Sequence, residues 1–475
     1  MTLVANSLAL PHAQDPLGLS RAQFEANPRG VDPAALIFNT RKSVNQTQAG
    51  LSYELNVGAA HAFSMLVYRG QRGTEQFQSI PVATQSSPLH PGGVISLGRA
   101  YGGTEMRWTQ QSHLMEGPLT LVAGLAYDAL DEHRQGYQNF IGTTLGVRGA
   151  LRRDERNDVA NFDQYLQAAW EISPQWSLNA GLRHSKVRFN STDRYVVGAN
   201  GNDSGNATYN ATLPVLGLMF AASPDLHLYA TAGSGFETPT LNELAYRSGG
   251  GTGLNFGLKA ARSDNLEAGV KSRLARVGEL TAAVFQISTT KEIVTQTNVG
   301  GRSTFQNAGA TQRSGVELGW SKSYFDSLNA QLAITVLDAT YRDAFRTCVA
   351  TPCAATNQLV SSVNRIPGVA RTSAYCAVNW APQTGWRGGI EARHLSLIYV
   401  NDANSDAAAR YAVAAVNVGY VRKAGAWDLG GYVRMDNLFD RTYAGSVIVN
   451  EGNRRFFEPA TGRTWWSGVS ATLKF

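Results

Sequence analysis

The sequence predicts an all-β protein: a transmembrane antiparallel β-barrel of about eighteen strands, with short periplasmic turns and long extracellular loops. Three observations predict it. The chain ends on TWWSGVSATLKF, in which Trp465, Val469, Ala471, Leu473 and Phe475 share one face and Gly468, Ser470, Thr472 and Lys474 the other. That period of two describes a strand with lipid on one side and water on the other. No run approaches the ~18–20 apolar residues a membrane helix requires. Short turns also alternate with long polar connections all along the chain.

A first strand is expected near Thr2–Leu10, followed by eight pairs joined by short turns and then the terminal strand. Leu119, Leu121, Ala123, Leu125 and Tyr127 oppose Thr120, Gly124 and Asp128. Leu178, Ala180 and Leu182 oppose Asn179, Gly181, Arg183 and Ser185. Trp427, Leu429, Val433 and Met435 oppose Asp428, Tyr432, Arg434 and Asp436. The polar sets belong in a wet lumen, since facing hydrocarbon they would be costly. Turns such as Ser173-Pro174-Gln175, Ser223-Pro224-Asp225 and Lys423-Ala424-Gly425 are short. Connections expected to be long run over 15–41, 82–99, 141–161, 193–210, 248–264 and 343–371. Trp176, Trp386 and Trp427 follow turns while Trp170 and Trp380 precede them, which predicts a headgroup-level girdle.

Composition agrees. Of the 475 residues only 16% are charged, against a usual ~25%, and 48 are glycine. A mean hydropathy of −0.21 suits strands that show half their side chains to water. The net charge of +6 is scattered, with no basic block that would read nucleic acid. Cys348 and Cys353, with Pro352 between them, suit a small disulfide on an oxidising surface, with a metal pair as the rival reading. Cys376 falls in a strand and is expected to be a packed thiol. Eight histidines without metal-ligand spacing, and no assembled nucleophile set, argue against an enzyme. The glycine run 249–251 lacks the strand–helix context of a phosphate cradle.

Several segments resemble the TonB-dependent outer-membrane receptors: Met435 to Phe475, Gly233 to Arg247 (GSGFETPTLNELAYR) and Thr304 to Trp320 (TFQNAGATQRSGVELGW). Further likeness is to the branch that takes up pyrroloquinoline quinone. It is carried by Gln14 to Gly30, Phe38 to Leu51, Phe236 to Leu258, Gly445 to Pro459 and the paired cysteines. The resemblance implies one barrel domain over 1–475, part of a barrel of about 22 strands around an amino-terminal plug. Signal peptide, TonB box, plug and about four strands are expected to lie outside this sequence, because Met1 opens directly on the strand-like TLVANSLAL. It implies capture of a scarce small molecule, pyrroloquinoline quinone or a ferric-siderophore-like chelate, for uptake into the periplasm. Expected partners are the TonB–ExbB–ExbD complex acting through the plug, outer-membrane lipid and lipopolysaccharide, and the barrel assembly machinery reading Phe475. No resident cofactor is implied. A passive pore or a non-functional barrel fragment is the alternative.

An anionic ligand would call for arginine forks beside aromatic stacking surfaces. The candidates are Arg454, Arg455, Phe456, Phe457 and Arg463 in the last long loop, and Phe236, Tyr246 and Arg247 above another strand. The rival role for these arginines is pairing with lipopolysaccharide phosphate or with Glu451 and Glu458.

Overall fold

One 18-stranded sheet runs through the chain as a meander in which each strand pairs antiparallel with the next. The computed structural model describes residues 1–247, 251–299, 302–325, 327–347 and 356–474. Cys348, Cys353, Phe475 and Gly249-Gly250 therefore lie outside the described residues. The first six strands are β1 (Thr2–Gln14), β2 (Arg41–Val57), β3 (His61–Phe77), β4 (Val94–Leu114), β5 (Gly117–Tyr137) and β6 (Leu151–Glu171). Next come β7 (Trp176–Asp193), β8 (Gly205–Ser223), β9 (Leu226–Glu237), β10 (Ala261–Leu274), β11 (Gly278–Thr290) and β12 (Thr311–Tyr324). The last are β13 (Leu328–Tyr341), β14 (Thr372–Trp380), β15 (Gly385–Leu395), β16 (Tyr411–Ala424), β17 (Trp427–Asp436) and β18 (Thr464–Leu473).

Eight turns of two to four residues close one end of the sheet, and nine connections of 11 to 30 residues crown the other. The long ones are L1 (15–40), L2 (78–93), L3 (138–150), L4 (194–204), L5 (238–260), L6 (291–310), L7 (342–371), L8 (396–410) and L9 (437–463). L1 carries the short helices α1 (Arg21–Ala26) and α2 (Pro33–Ile37), and L5 carries α3 (Leu241–Leu244). Tight turns leave only the positions that tolerate left-handed backbone: Gly58, Gly425 and the Met115-Glu116 pair all have positive φ.

The register confirms the alternation. Leu473, Ala471, Val469 and Trp465 of β18 sit opposite Trp427, Leu429, Gly431 and Met435 of β17, all on the outer face. Val469 is 94% exposed, which in water would be wasteful and in hydrocarbon is not. On the inner face Lys474 reaches Asp428 at 2.6 Å. Seven of the nine tryptophans lie toward the turn end, where Trp170 donates its indole N–H to the Leu114 carbonyl at 3.0 Å and Trp320 to Val277 at 2.8 Å, while Trp465 and Trp466 open β18 at the loop end. A ring with one satisfied polar edge and an apolar body suits an interface between headgroup and hydrocarbon.

Two readings are corrected. Strands begin well inside stretches expected to be loop: β4 at Val94, β6 at Leu151 and β8 at Gly205. Strands of 21 residues such as β4, β5 and β6 are about twice what crosses the hydrocarbon, so their upper ends stand in water. There even the outer face turns polar, as with Arg156 donating to Asp131, and the dyad fades from the sequence. Cys376 is exposed and shares the face of Val378 and Trp380, so it is not packed among protein atoms. Among the described residues β1 and β18 each pair with one neighbour and not with each other, so the sheet is open along a seam, in keeping with the expectation of about eighteen strands out of some 22.

The lumen wall shows why glycine is abundant. At Gly124 a Cβ would lie 2.2 Å from the Tyr165 ring, and at Gly468 one would lie 2.5 Å from Tyr432. Each tyrosine lies flat over a glycine on the adjacent strand, filling the inner face without a clash.

Candidate functional site

The loops are tied together rather than free. Asn450 in L9, at a φ of 55° that asparagine accepts, is the hub. Its Nδ2 donates to the Thr295 carbonyl in L6 at 2.6 Å and to Asp402 in L8 at 2.9 Å, while its Oδ1 accepts from the Asp402 N–H at 3.1 Å. Asp402 also accepts from the Tyr341 hydroxyl at 2.6 Å. Arg21 in L1 donates to Asp406 and to the Ala407 carbonyl in L8. Leu19 and Phe457 exchange backbone hydrogen bonds, so L1 and L9 form a two-residue bridge across the seam.

Below L5 lies a lumen cavity of about 600 Å³. Its wall comes from inward positions of β4 to β8, including Arg99, Asp163, Arg183 and Phe189, and its lid from Thr238 to Asn242. That lid ends in the short helix α3 (Leu241–Leu244), opened by a capping box in which Thr240 and Glu243 satisfy each other's backbone N–H. Leu241 and Leu244 anchor it in a buried cluster with Phe189, Tyr209 and Leu258. Arg183 donates to Asp163, and Arg99 donates to the buried Glu132 at 2.6 Å.

A denser charged group sits above this. Tyr246 follows α3 and is ringed by the guanidiniums of Arg302, Arg134 and Arg153, at 5.1, 5.4 and 5.6 Å from its ring centre. Burial alone would raise the Tyr246 phenol, but Arg302, Arg134 and Arg153 together outweigh it and hold it below the ordinary tyrosine value. Arg302 lies 2.8 Å from His90 Nε2. Burial, with Arg302 and Arg152 nearby, pulls His90 down to about 3, so its ring is neutral at ordinary pH.

The predicted site residues fall into two separate groups. Phe236 lines the cavity with Pro239 and Asn242, Tyr246 lies in the arginine ring, and Arg247 donates to the Leu254 carbonyl at 3.1 Å. In L9, Arg454 is exposed with no hydrogen bond or ion pair from its side chain among the described residues, and Arg463 is exposed. Arg455 is engaged by Asp32 at 3.3 Å and Glu451 at 3.6 Å. Phe456 and Phe457 are buried with Val400, Ala408 and Ala444, and Phe24 packs on Phe457. These two rings serve as the core of the loop assembly. Sequence reading missed Arg99, Arg134, Arg153 and Arg302. Of these only Arg134 and Arg153 left a trace, in the charge-dense runs DEHRQ and LRRDERND.

A family model described as TonB dependent receptor-like, beta-barrel matches residues 7–438. The structure is similar to the ferric citrate transporter FecA in its unliganded form, with a TM-score of 0.75 and 16% identity over 99% of this chain and 68% of that one. It is similar to the closed form of the ferric-catecholate import receptor Fiu from E. coli K12, with a TM-score of 0.72 and 13% identity over 100% and 72%. For the siderophore receptor PiuA from Acinetobacter baumannii the TM-score is 0.70 and the identity 15%, over 91% and 65%. At these identities the likeness is one of fold, and the chain spans about two thirds of the length of these proteins.

Proposed function

Since the chain belongs to the TonB-dependent receptor-like β-barrel family, an outer-membrane family of receptors and transporters and not of enzymes, we propose that it captures a scarce anionic small molecule for energised uptake. The observation that carries this reading is the density of guanidinium groups beneath and within the tied loops: Arg99, Arg134, Arg153 and Arg183 on the inner face of the strands, with Arg302 of L6. Guanidinium forks match carboxylates and suit a multiply charged quinone cofactor or ferric chelate better than a neutral solute. The segments from Phe236 to Leu258 and from Gly445 to Pro459 favour pyrroloquinoline quinone among these. They supply Tyr246 and the Asn450 hub.

In this reading residues 1–475 are barrel, and the plug, the TonB-contacting segment and the strands that close the seam belong to the same receptor. An open edge in hydrocarbon would leave backbone groups unpaired at several kcal/mol each, which supports additional strands there. Uptake then draws on the TonB–ExbB–ExbD complex. Outer-membrane lipid and lipopolysaccharide surround the barrel, and the assembly machinery engages Phe475. Phe236, Tyr246, Arg247, Arg454 and Arg463 remain the residues proposed to meet ligand, with Arg455, Phe456 and Phe457 acting through loop placement. A disulfide between Cys348 and Cys353 stays part of the proposal.

The test is growth of cells carrying the full-length gene on pyrroloquinoline quinone or on ferric siderophores, each with and without TonB. Growth on one ligand that disappears without TonB supports the reading. Equal growth in both backgrounds, together with large ion conductance in planar bilayers, would favour a passive pore.

A further inference from the structure

The ring around Tyr246 holds more positive charge than its own carboxylates balance. Arg153 is paired, since it donates to both oxygens of Glu155 at 2.7 and 2.9 Å and to the Ala245 carbonyl at 2.8 Å. Glu132 is committed to Arg99 at 2.6 Å and Asn157 at 3.1 Å. Arg134 is 4% exposed and makes its hydrogen bond, among the described residues, to the Tyr246 hydroxyl at 3.3 Å. Arg302 donates to the Gly92 carbonyl and to the neutral His90, and its Nε–H is buried with no partner among the described residues. Two guanidiniums therefore converge on one phenol with no carboxylate in ion-pair contact among the described residues. A buried charge in that condition is costly unless an anion offsets it.

We propose that Arg134 and Arg302, flanked by the paired Arg153, form a carboxylate-binding centre, and that the Tyr246 phenol competes with the incoming carboxylate for it. Two planar forks facing one phenol ring, Arg134 at 5.4 Å and Arg302 at 5.1 Å from its centre, suit a flat bidentate anion. Beside them, a cavity of about 20 Å³ has room for one water and no more. Arg152, Arg153, Tyr195 and Tyr246 line it together with three carboxylates that are already engaged: Glu155 by Arg153, Asp193 by the Tyr195 N–H, and Asp203 by Arg247 at 3.7 Å. A ligand carboxylate thus reaches the guanidiniums by displacing the phenol. Arg99, on the wall of the larger cavity, grips Glu132, two residues from Arg134 on the same face of β5. The centre is thereby linked through Glu132 to the wall of the lumen cavity. That the carboxylate belongs to the transported molecule rests on the receptor reading above, whereas the binding centre does not.

The experiment titrates the full-length receptor in detergent with citrate, and separately with inorganic phosphate, by calorimetry. Citrate is expected to bind. R302Q and R134Q should each weaken it about tenfold or more, while Y246F binds at least as tightly as the parent. Raising the pH ionises the phenol and strengthens the competitor. Affinity of the parent should therefore fall in alkaline buffer, while that of Y246F stays flat. Y246F removes one hydroxyl, so it reports even if an arginine variant fails to fold. Absence of citrate binding, equal binding of phosphate, or a Y246F variant weakened like the arginine variants would overturn the centre. Citrate binding by a receptor whose uptake ignores TonB would support the centre and remove the receptor reading.

Discussion

Arg455 in the last loop donates to Asp32 in the first, Nη1 to Oδ1 at 3.3 Å, joining the two loops on either side of the seam. Both side chains are largely buried, at 13% and 9% exposure. Asp32 also caps the helix α2 (Pro33–Ile37) through the Ala34 N–H and accepts from Gln23. One carboxylate thus serves a cap, a neighbouring side chain and a cross-loop pair.

Removing Arg455 leaves Asp32 and Glu451 as buried charges short of a partner. Arg455→Ala is expected to cost about 3 kcal/mol locally. Limited proteolysis of the folded barrel should then cut L1 and L9 faster. Arg454→Ala, at an exposed and unpaired position, should leave the cutting rate unchanged. Identical digestion of both variants would refute the assignment of Arg455 to loop docking.

The outward face of β18 is tested by charge. Val469→Arg places a cation where the side chain is 94% exposed, at a cost of about 2–4 kcal/mol near mid-bilayer. Ser470→Arg, one residue on and facing the lumen, should be tolerated. The yield of heat-modifiable barrel measures both, and equal yields would dissolve the distinction between the faces.

Gly124 tests the inner wall. A methyl there would meet the Tyr165 ring, whose hydroxyl donates to Glu105 at 2.6 Å. Gly124→Ala is expected to destabilise by about 1–3 kcal/mol through overpacking. Adding Tyr165→Ala should recover much of that loss in thermal unfolding, because the clash is removed along with the ring. A double variant no better than Gly124→Ala alone would show that the ring is not the obstacle.

Asp402 predicts a pH dependence. Burial raises its carboxyl above the ordinary range, although the Tyr341 and Asn450 hydrogen bonds favour the charged form. The folded state therefore holds this proton more tightly than the unfolded chain. Its contribution is largest below the ordinary carboxylate range, about pH 4, and is lost as the pH climbs through the raised value. Asp402→Asn should flatten that slope in loop protection measured by hydrogen exchange. A slope retained in the variant would assign it to another group.

Much of the fold was legible because a strand between lipid and water writes its two faces into neighbouring residues, as at Leu178 to Ser185. The upper strand ends were not, since Arg152 to Asp158 stand in water on one face and in a polar lumen on the other. The pairing of Gly124 with Tyr165 needs a register between strands, which single-strand periodicity does not contain. Phe456 and Phe457 read as stacking surfaces from their neighbours Arg454 and Arg455. Their burial depends on Phe24 and Val400, which are distant in sequence. The Tyr246 ring draws on L2, L5, L6 and two strands, so its parts carry no common local signature.

Asn450 holds carbonyls and amides from L6 and L8 with separate atoms of one side chain. A pull on any of these segments is therefore shared by the others, and the extracellular crown yields as a hinged roof rather than as independent flaps. Cargo seated at one edge would thus be felt at the opposite edge without a relay through the barrel wall.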